Sequence, residues 1–187
     1  LPVTEVAVGV LLDPGRNRVL LARRPPGVHL GDCWEFPGGK LEQGESCEAA
    51  LERELHEELG ILVGSSWPLI RLQNVYADRV IRLNVRMVDA YTGTPYGREG
   101  QKVRWVECSK LSSVPFPPAN RPIVKALLLP DLFGILNVFD HARSELPDLL
   151  RRMAAQGVGM VRLREGSVPL ENVFVSELAE TNRPPFD

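Results

Sequence analysis

The chain has 187 residues, which is enough for one domain with a full hydrophobic core and part of another. Hydrophobic residues make up 44% and charged residues 25%, and a formal net charge of -2 argues against a general nucleic-acid or membrane surface. The sequence has no apolar run of membrane-spanning length and no signal-peptide pattern, so we expect a cytoplasmic protein. Its three cysteines, Cys33, Cys47 and Cys108, are widely spaced and are expected to be reduced thiols.

The first two thirds of the chain alternate between strand-like runs and two helical segments. Proline and paired glycines at 37–39 predict a tight loop with exposed backbone just before a helix. Ser46 as N-cap and Gly60 as left-handed C-cap predict that this helix covers Cys47–Leu59. Strands are predicted at 3–12 and 18–22 as one hairpin, at 69–76 and 80–91 as another, and at 102–107.

An acidic cluster on the predicted helix is the strongest functional signal in the sequence. Glu54, Glu57 and Glu58 fall within one narrow arc, beside an apolar stripe of leucines. Because like charges at this spacing destabilise a bare helix, and Arg53 alone is too little to neutralise them, we expect a cation. Carboxylate oxygens select magnesium, manganese or calcium over zinc, and magnesium is usually held together with substrate phosphates. The alternative is a solvated acidic helix face.

Two arginines at the end of the second strand are further candidates for contact with a substrate. Arg23 and Arg24 precede a break in regular structure, where a guanidinium group could meet a phosphate with two hydrogen bonds. Two solvated surface arginines are an equally good interpretation.

The chain changes character after a proline-rich stretch and a predicted helix at 123–129. Pro130-Asp131 is the expected domain boundary, which gives domains 1–130 and 131–187. A strand at 133–139, a helix at 144–156 and a strand at 158–164 then predict one β-α-β unit.

The stretch from Gly39 to Ile61 resembles the Nudix box at every defining position, and the likeness extends over roughly the first 130 residues. Within that family it is most similar to the MutT type, the 8-oxo-dGTP diphosphatases. The likeness implies an α/β fold, an α/β/α sandwich with a mixed sheet, and hydrolysis of a nucleoside diphosphate linked to a further group. The segments outside the box that carry it are EFPGGK at 35–40, DR at 78–79, the glycine-flanked Glu99 and FPPAN at 116–120.

The resemblance also implies roles for individual residues. MutT-type attack at the β-phosphorus gives a nucleoside monophosphate and pyrophosphate, and the general base would be Glu54 or Glu99. Arg53 would orient the carboxylates, Arg24 would meet phosphate, and His29 would assist it. The implied ligands of Mg²⁺, or of Mn²⁺ as a substitute, are the backbone carbonyl of Gly38 with Glu54, Glu57, Glu58 and Glu99.

Phe36, Arg79 and Asn120 are the residues expected to bind the base. Guanine presents two acceptors at N7 and O6, whereas 8-oxoguanine presents a donor at N7 beside an acceptor. The amide of Asn120 complements that second pair, and guanine would be disfavoured by about 1–3 kcal/mol if the site is buried. Without the resemblance, Asn120 would be interpreted as a turn former.

From about residue 132 the chain resembles the opening β-α-β of thiamine-phosphate synthase, a TIM-barrel family, through ILNVFD and GMVRLREG. The segment is too short to close a barrel, so it is expected to be incomplete, either a fragment of a longer fusion or a vestigial extension. Arg164 keeps one position of the family's Gln-x-Arg-x-Lys pattern, whereas Arg162 and Gly166 depart from it. The segment is expected to pack on the first domain, to pair with another copy, or to be partly disordered.

The leading hypothesis is therefore a Mg²⁺-dependent hydrolase of 8-oxo-dGTP. Alternatives are a Nudix hydrolase for ADP-ribose or a dinucleotide polyphosphate, a non-catalytic nucleotide sensor, and a thiamine-biosynthetic enzyme with a Nudix partner. The expected partner is a small nucleotide, with no nucleic acid and no membrane, and the expected state is a monomer or a weak dimer through the C-terminal segment.

Overall fold

A computed structural model describes residues 1–130, 132–137, 140–165 and 168–174. They belong to two compact units, Leu1–Leu128 and Leu129–Asp187. No described helix is both long and apolar enough to cross a membrane. The strands are β1 (Val3–Leu11), β2 (Arg18–Arg23), β3 (Trp34–Glu35), β4 (Gly38–Lys40), β5 (Leu62–Val75), β6 (Val80–Thr92), β7 (Val103–Glu107), β8 (Phe133–Asn137), β9 (Met160–Glu165) and β10 (Val168–Phe174), and the helices are α1 (Cys47–Leu59), α2 (Arg121–Leu127) and α3 (Leu146–Ala155).

The first unit is built on two sheets. One has the strand order β4-β1-β6-β5, in which β1 runs parallel to β6 and the other pairs are antiparallel. The other has the order β3-β2-β7 and is antiparallel throughout. The mixed sheet, together with the helices, confirms the predicted α/β class.

Strand β1 lies between two hydrophobic clusters, which explains its nearly continuous apolar sequence. Ala7 and Leu11 pack in the cluster that contains the buried leucines of α1. Val8 and Val10 point the other way, into the cluster that contains the buried side chains of α2. Each fully buried leucine of α1 stabilises the fold by about 2 kcal/mol, so this packing fixes the helix against the sheet.

The predicted hairpin between 3–12 and 18–22 is wrong. Strands β1 and β2 belong to different sheets and approach each other at a single bridge, Leu12 with Val19. Both edges of β1 are already paired, one with β4 and the other with β6. The Asp13 carboxylate accepts the backbone N–H groups of Asn17 and Arg18, each at 2.9 Å, and so closes a turn that leads the chain into the second sheet.

The remaining elements of the first unit follow the sequence closely. Helix α1 has the predicted bounds, and β5 and β6 form the predicted hairpin, although β5 begins earlier, at Leu62. The segment predicted as a tight loop at 37–39 ends in strand β4, which pairs with β1. The backbone N–H of Gly9 also donates to the carbonyl of Pro37 at 2.8 Å, which places this segment against the sheet.

The second unit contains the expected β-α-β order. Strands β8 and β9 are parallel, and α3 lies between them in the sequence. Strand β10, which was not predicted, pairs antiparallel with β9. The end of the predicted strand at 138–139 lies outside the described residues. The likeness to a TIM-barrel family and the docking of this segment stay predictions. Its hydrophobic cluster consists of Leu136, Leu146, Leu150, Val161 and Leu163.

Candidate active site

Helix α1 is held at both ends, which fixes the direction of its acidic side chains. The Ser46 hydroxyl accepts the backbone N–H of Ala49 at 3.1 Å, as an N-cap. Gly60 takes the left-handed conformation at φ 70° and donates its N–H to the His56 carbonyl at 3.0 Å. The carboxylates of the last two turns therefore project from a rigid support.

Arg53 is surrounded by carboxylates on the exposed side of α1. Its Nε and Nη2 atoms bind both oxygens of Glu45, each at 3.0 Å, and Nη1 binds Glu54 at 2.9 Å and Glu57 at 3.3 Å. Nη2 also donates to the backbone carbonyl of Lys40 at 3.0 Å. The Glu45 and Glu54 hydrogen bonds raise the pKa of Arg53, and the bond from Arg53 lowers the pKa of Glu45. Arg53 thus fixes the orientation of three carboxylates.

Glu58 is a partly buried member of the acidic cluster. Its Oε2 atom accepts the backbone N–H of Gly38 at 3.1 Å. Burial, followed by the negative charges of Glu54, Glu99 and Glu35, raises the pKa of Glu58 to about 7, against the lowering effect of the Gly38 hydrogen bond. A cation bound here would remove both the desolvation cost and the repulsion.

The glycines of the EFPGGK segment bring the backbone against these carboxylates. Gly38 has φ 138°, and a Cβ atom there would overlap the carbonyl of Ala7. A Cβ atom on Gly39 would overlap the carboxylate of Glu54. The backbone and the carboxylates are thus in close contact here, and a set of carboxylate oxygens fits a hard divalent cation.

The predicted metal ligands do not form a finished coordination shell. In the described ranges, no three His, Cys, Asp or Glu side chains converge at metal-ligand spacing. Arg53 binds Glu54 and Glu57, and the Gly38 N–H binds Glu58. Each of these contacts uses one oxygen of its carboxylate, so the second oxygen could bind a cation while Arg53 stays in place.

A cavity of about 380 Å³ lies beside the buried end of this cluster. Phe36, which is 4% exposed, lines it and stacks on Phe116 with ring centroids 5.5 Å apart. The cavity is wide enough for part of a nucleotide and has acidic and basic groups on its walls. The predicted site residues that line it are Arg24, Phe36, Gly38, Glu58 and Glu99.

Arg24 is already paired on the wall of this cavity. Its Nη1 atom lies 2.6 Å from Glu35, and Nε and Nη2 donate to the carbonyl of His29. Burial raises the pKa of Glu35, and Arg24 opposes that rise. A phosphate would therefore compete with Glu35 for this guanidinium group.

The other predicted substrate residues lie outside the cavity lining. His29 lines a separate cleft of about 550 Å³ together with Tyr76 and Ala119. Arg79 lies in the turn between β5 and β6, 6.0 Å from the centre of the Tyr76 ring. Asn120 stands at the start of α2, immediately after Ala119. His29 thus lines the cleft, Arg79 and Asn120 lie next to residues that line it, and Phe36 lines the cavity instead.

Several residues at the site were not among the predicted ones. Glu35 and Glu45 both lie in the recognised motifs, so their positions could have drawn notice. Arg23, by contrast, is one of the two arginines predicted as candidates for substrate contact; it lines the cavity, and its buried Nε atom has no hydrogen-bond partner among the described residues. Gln101 also lines the cavity, and its amide joins the loop of Glu99 to α1. No pattern in the sequence distinguishes Gln101 from an ordinary loop residue.

Comparison with known proteins identifies the first unit. The NUDIX domain family matches residues 7–126. The 8-oxo-dGTP diphosphatase of Escherichia coli K12 is 37% identical over 123 residues, 66% of this chain and 95% of the relative. The CTP pyrophosphohydrolase of the same organism is 34% identical over 124 residues, 66% of this chain and 90% of the relative.

A solved structure from work on MutT of Aliivibrio salmonicida and Vibrio cholerae agrees with these relatives. It is 35% identical, covers 67% of this chain and 97% of its own, and superposes with a TM-score of 0.62. The chain therefore belongs to the Nudix hydrolase family, and the members to which it is similar include 8-oxo-dGTP diphosphatases of the MutT type.

Proposed function

We propose that the chain hydrolyses 8-oxo-dGTP to 8-oxo-dGMP and pyrophosphate, and so removes an oxidised nucleotide before DNA synthesis can use it. The similarity to 8-oxo-dGTP diphosphatases supports this substrate. The single observation that carries the proposal is the cavity in which Phe36 faces the same space as Glu58 and Glu99. An aromatic wall for a nucleotide and a set of carboxylates for a metal ion are thereby adjacent.

Members of the family generally use a divalent metal ion, and we propose Mg²⁺, with Mn²⁺ as a substitute. The all-oxygen donor set and the repulsion around Glu58 support this choice. When bound, the ion would offset the phosphate charge and make a bound water more acidic. Its proposed ligands are the Gly38 carbonyl with Glu54, Glu57, Glu58 and Glu99.

The protein groups have separate tasks in the proposed reaction. Glu54 or Glu99 accepts a proton from the water that attacks the β-phosphorus. The bond between the β-phosphorus and the oxygen bridging it to the α-phosphorus breaks, which leaves the nucleoside monophosphate and pyrophosphate. Arg53 holds Glu54 in place, and Arg24 binds a phosphate after release from Glu35. His29, whose carbonyl Arg24 now binds, assists at the same point.

Recognition of the base is proposed for Phe36 at the cavity, together with Arg79 and Asn120, which lie outside the cavity lining in this structure. Phe36 is stacked on Phe116 and supplies an aromatic surface. The Asn120 side chain makes no capping bond to α2, so its amide remains available to pair with the N7–H donor and adjacent acceptor of 8-oxoguanine.

The test is pyrophosphate release from 8-oxo-dGTP and from dGTP, with Mg²⁺, by the wild type and by Asn120→Ala. We expect the wild type to favour 8-oxo-dGTP by at least about fivefold in kcat/KM, since one mismatched buried hydrogen bond costs about 1–3 kcal/mol. Asn120→Ala should lower kcat/KM for 8-oxo-dGTP more than it lowers kcat/KM for dGTP, and so reduce the preference. Equal turnover of both nucleotides by the wild type would contradict the proposed base specificity.

A pyrimidine triphosphate is the second candidate substrate, because one relative is a CTP pyrophosphohydrolase. The metal cluster would act in the same way on either nucleotide, so the base alone distinguishes them. Including CTP and dCTP in the same assay decides between the two. A higher kcat/KM for CTP than for 8-oxo-dGTP would replace the leading proposal with this one.

A further inference from the structure

The loop between β6 and β7 packs against the C-terminal end of α1. The last carbonyls of a helix have no partner within it, and this loop supplies donors to them. The backbone N–H of Tyr96 donates to Leu59 at 3.1 Å, and that of Arg98 donates to Glu58 at 2.9 Å. The loop that carries Glu99 is therefore anchored on the helix that carries the other carboxylates.

Gln101 joins helix α1 to the loop that contains Glu99 through both ends of its side-chain amide. Its Nε2 atom donates to the backbone carbonyl of Glu58 at 3.0 Å. Its Oε1 atom accepts the backbone N–H of Glu99 at 2.9 Å. A carbonyl can only accept and a backbone N–H can only donate, so the orientation of this amide is fixed. Both ends of the Gln101 amide therefore have a hydrogen-bond partner of the right kind.

Glycines allow the loop to turn tightly enough for these contacts. A Cβ atom on Gly97 would overlap the backbone carbonyl of Gln101, and Gly100 has φ 81°. The side chains of Glu58 and Glu99 carry like charges, which repel each other at short range. The backbone bonds of Tyr96 and Arg98 anchor the loop as a whole, and Gln101 adds the contact that holds the N–H of Glu99 itself.

We propose that Gln101 is a positioning residue that holds Glu99 beside Glu58 by hydrogen-bonding to the backbones of both. This inference rests on the proposed function, because Glu99 is one of the carboxylates to which that function gives a task. Gln101 itself touches no reacting atom in the proposed reaction. Its contribution is the separation between Glu99 and the carboxylates of α1.

The decisive variant is Gln101→Met, which removes both hydrogen bonds at similar volume. We expect the amide hydrogen of Glu99, followed by NMR without metal or nucleotide, to exchange about five- to tenfold faster. We expect kcat for 8-oxo-dGTP to fall about 10- to 100-fold, as for other residues that orient metal ligands, with the nucleotide KM within about twofold. A catalytic loss from misfolding is tested separately by comparing thermal unfolding with that of the wild type.

Two further variants sharpen the test. Gln101→Glu keeps an acceptor for the Glu99 N–H, loses the donor to Glu58 and adds a negative charge beside two carboxylates, so it should preserve slow exchange at Glu99 and lower kcat at least as much as Gln101→Met does. Gln43→Met is the matched control, because Gln43 is exposed and lies outside the cavity lining. It should leave both exchange at Glu99 and kcat unchanged.

Unchanged exchange at Glu99 in Gln101→Met would overturn the proposed link. Faster exchange with an unchanged kcat would overturn the positioning role. If the wild type releases no pyrophosphate from any nucleotide in the panel, the proposed function fails, and the catalytic part of this inference fails with it. The exchange measurement needs no substrate and still decides whether Gln101 fixes the position of Glu99.

Discussion

Replacement of Glu58 by glutamine should make the metal-free protein more stable at neutral and alkaline pH. The pKa of Glu58 rises from 4.5 to about 7 on folding, first because the carboxylate is buried and then because other carboxylates surround it. Each unit of difference corresponds to about 1.4 kcal/mol, so the ionised carboxylate costs the folded state about 3 kcal/mol. Glutamine has no such charge, and its side-chain oxygen can still accept the N–H of Gly38.

The sign of the pH dependence follows from the direction of the shift. Between pH 4.5 and about 7, the folded state keeps a proton on Glu58 that the unfolded state has lost. Wild-type stability relative to Glu58→Gln therefore falls as the pH rises through this window. The two proteins should be equally stable near pH 4 and should differ by about 3 kcal/mol at pH 8.

Urea unfolding in the presence of EDTA, at pH 4, 6 and 8, measures this difference. All three tryptophans, Trp34, Trp67 and Trp105, lie in the first unit, so their fluorescence reports on the unit that contains Glu58. Glu52→Gln on the exposed side of α1 is the matched control and should change stability by less than about 0.5 kcal/mol. A variant Glu58→Gln that is no more stable than the wild type at pH 8 would refute the reasoning.

The same variant links stability to activity. Loss of a metal ligand should lower kcat at least about 100-fold, although the fold becomes more stable. Added Mg²⁺ should stabilise the wild type more than the variant, because a ligand stabilises the state that binds it. Retained turnover would remove Glu58 from the proposed metal site.

Two further substitutions test the support around the carboxylates. Arg53→Lys keeps the charge but loses the bidentate bond to Glu45 and the simultaneous contact with Glu54. We therefore expect kcat to fall about 10- to 100-fold with little change in the nucleotide KM. A wild-type rate would contradict the orienting role. Gly39→Ala should displace the end of the Glu54 side chain and lower kcat with a small loss of stability. Gly38→Ala should destabilise the fold by more than about 3 kcal/mol, because its Cβ atom would overlap backbone atoms of Ala7 and Val8. Thermal unfolding of both variants checks this contrast.

The helix with its caps could be predicted because each signal is local. Ser46, the spacing of the leucines and Gly60 lie within fifteen positions of one another, and each acts on its own neighbours. The charge excess on one face was likewise visible from spacing alone. The environment of each carboxylate could not be predicted, because the burial of Glu58 depends on segments far away in the sequence.

The first hairpin was mispredicted because strand pairing is not a local property. The two apolar runs and the turn between them satisfy every hairpin signal, and the turn is indeed present. Strand β1, however, pairs with β4 along one edge and with β6 along the other, and hydrophobic clusters cover both of its faces. The role of Gln101 could not be predicted for the same reason, since the Glu58 carbonyl and the Glu99 N–H come together only in the folded chain.

The position of β1 also has a consequence for the order of folding. Its nine residues pair in parallel with 80–88, so the centre of the mixed sheet cannot form until β6 has been synthesised. During translation, the apolar N-terminal strand would wait for a partner that leaves the ribosome much later. Such long-range parallel pairing makes folding slow, and it leaves the apolar strand β1 exposed to aggregation until β6 is available.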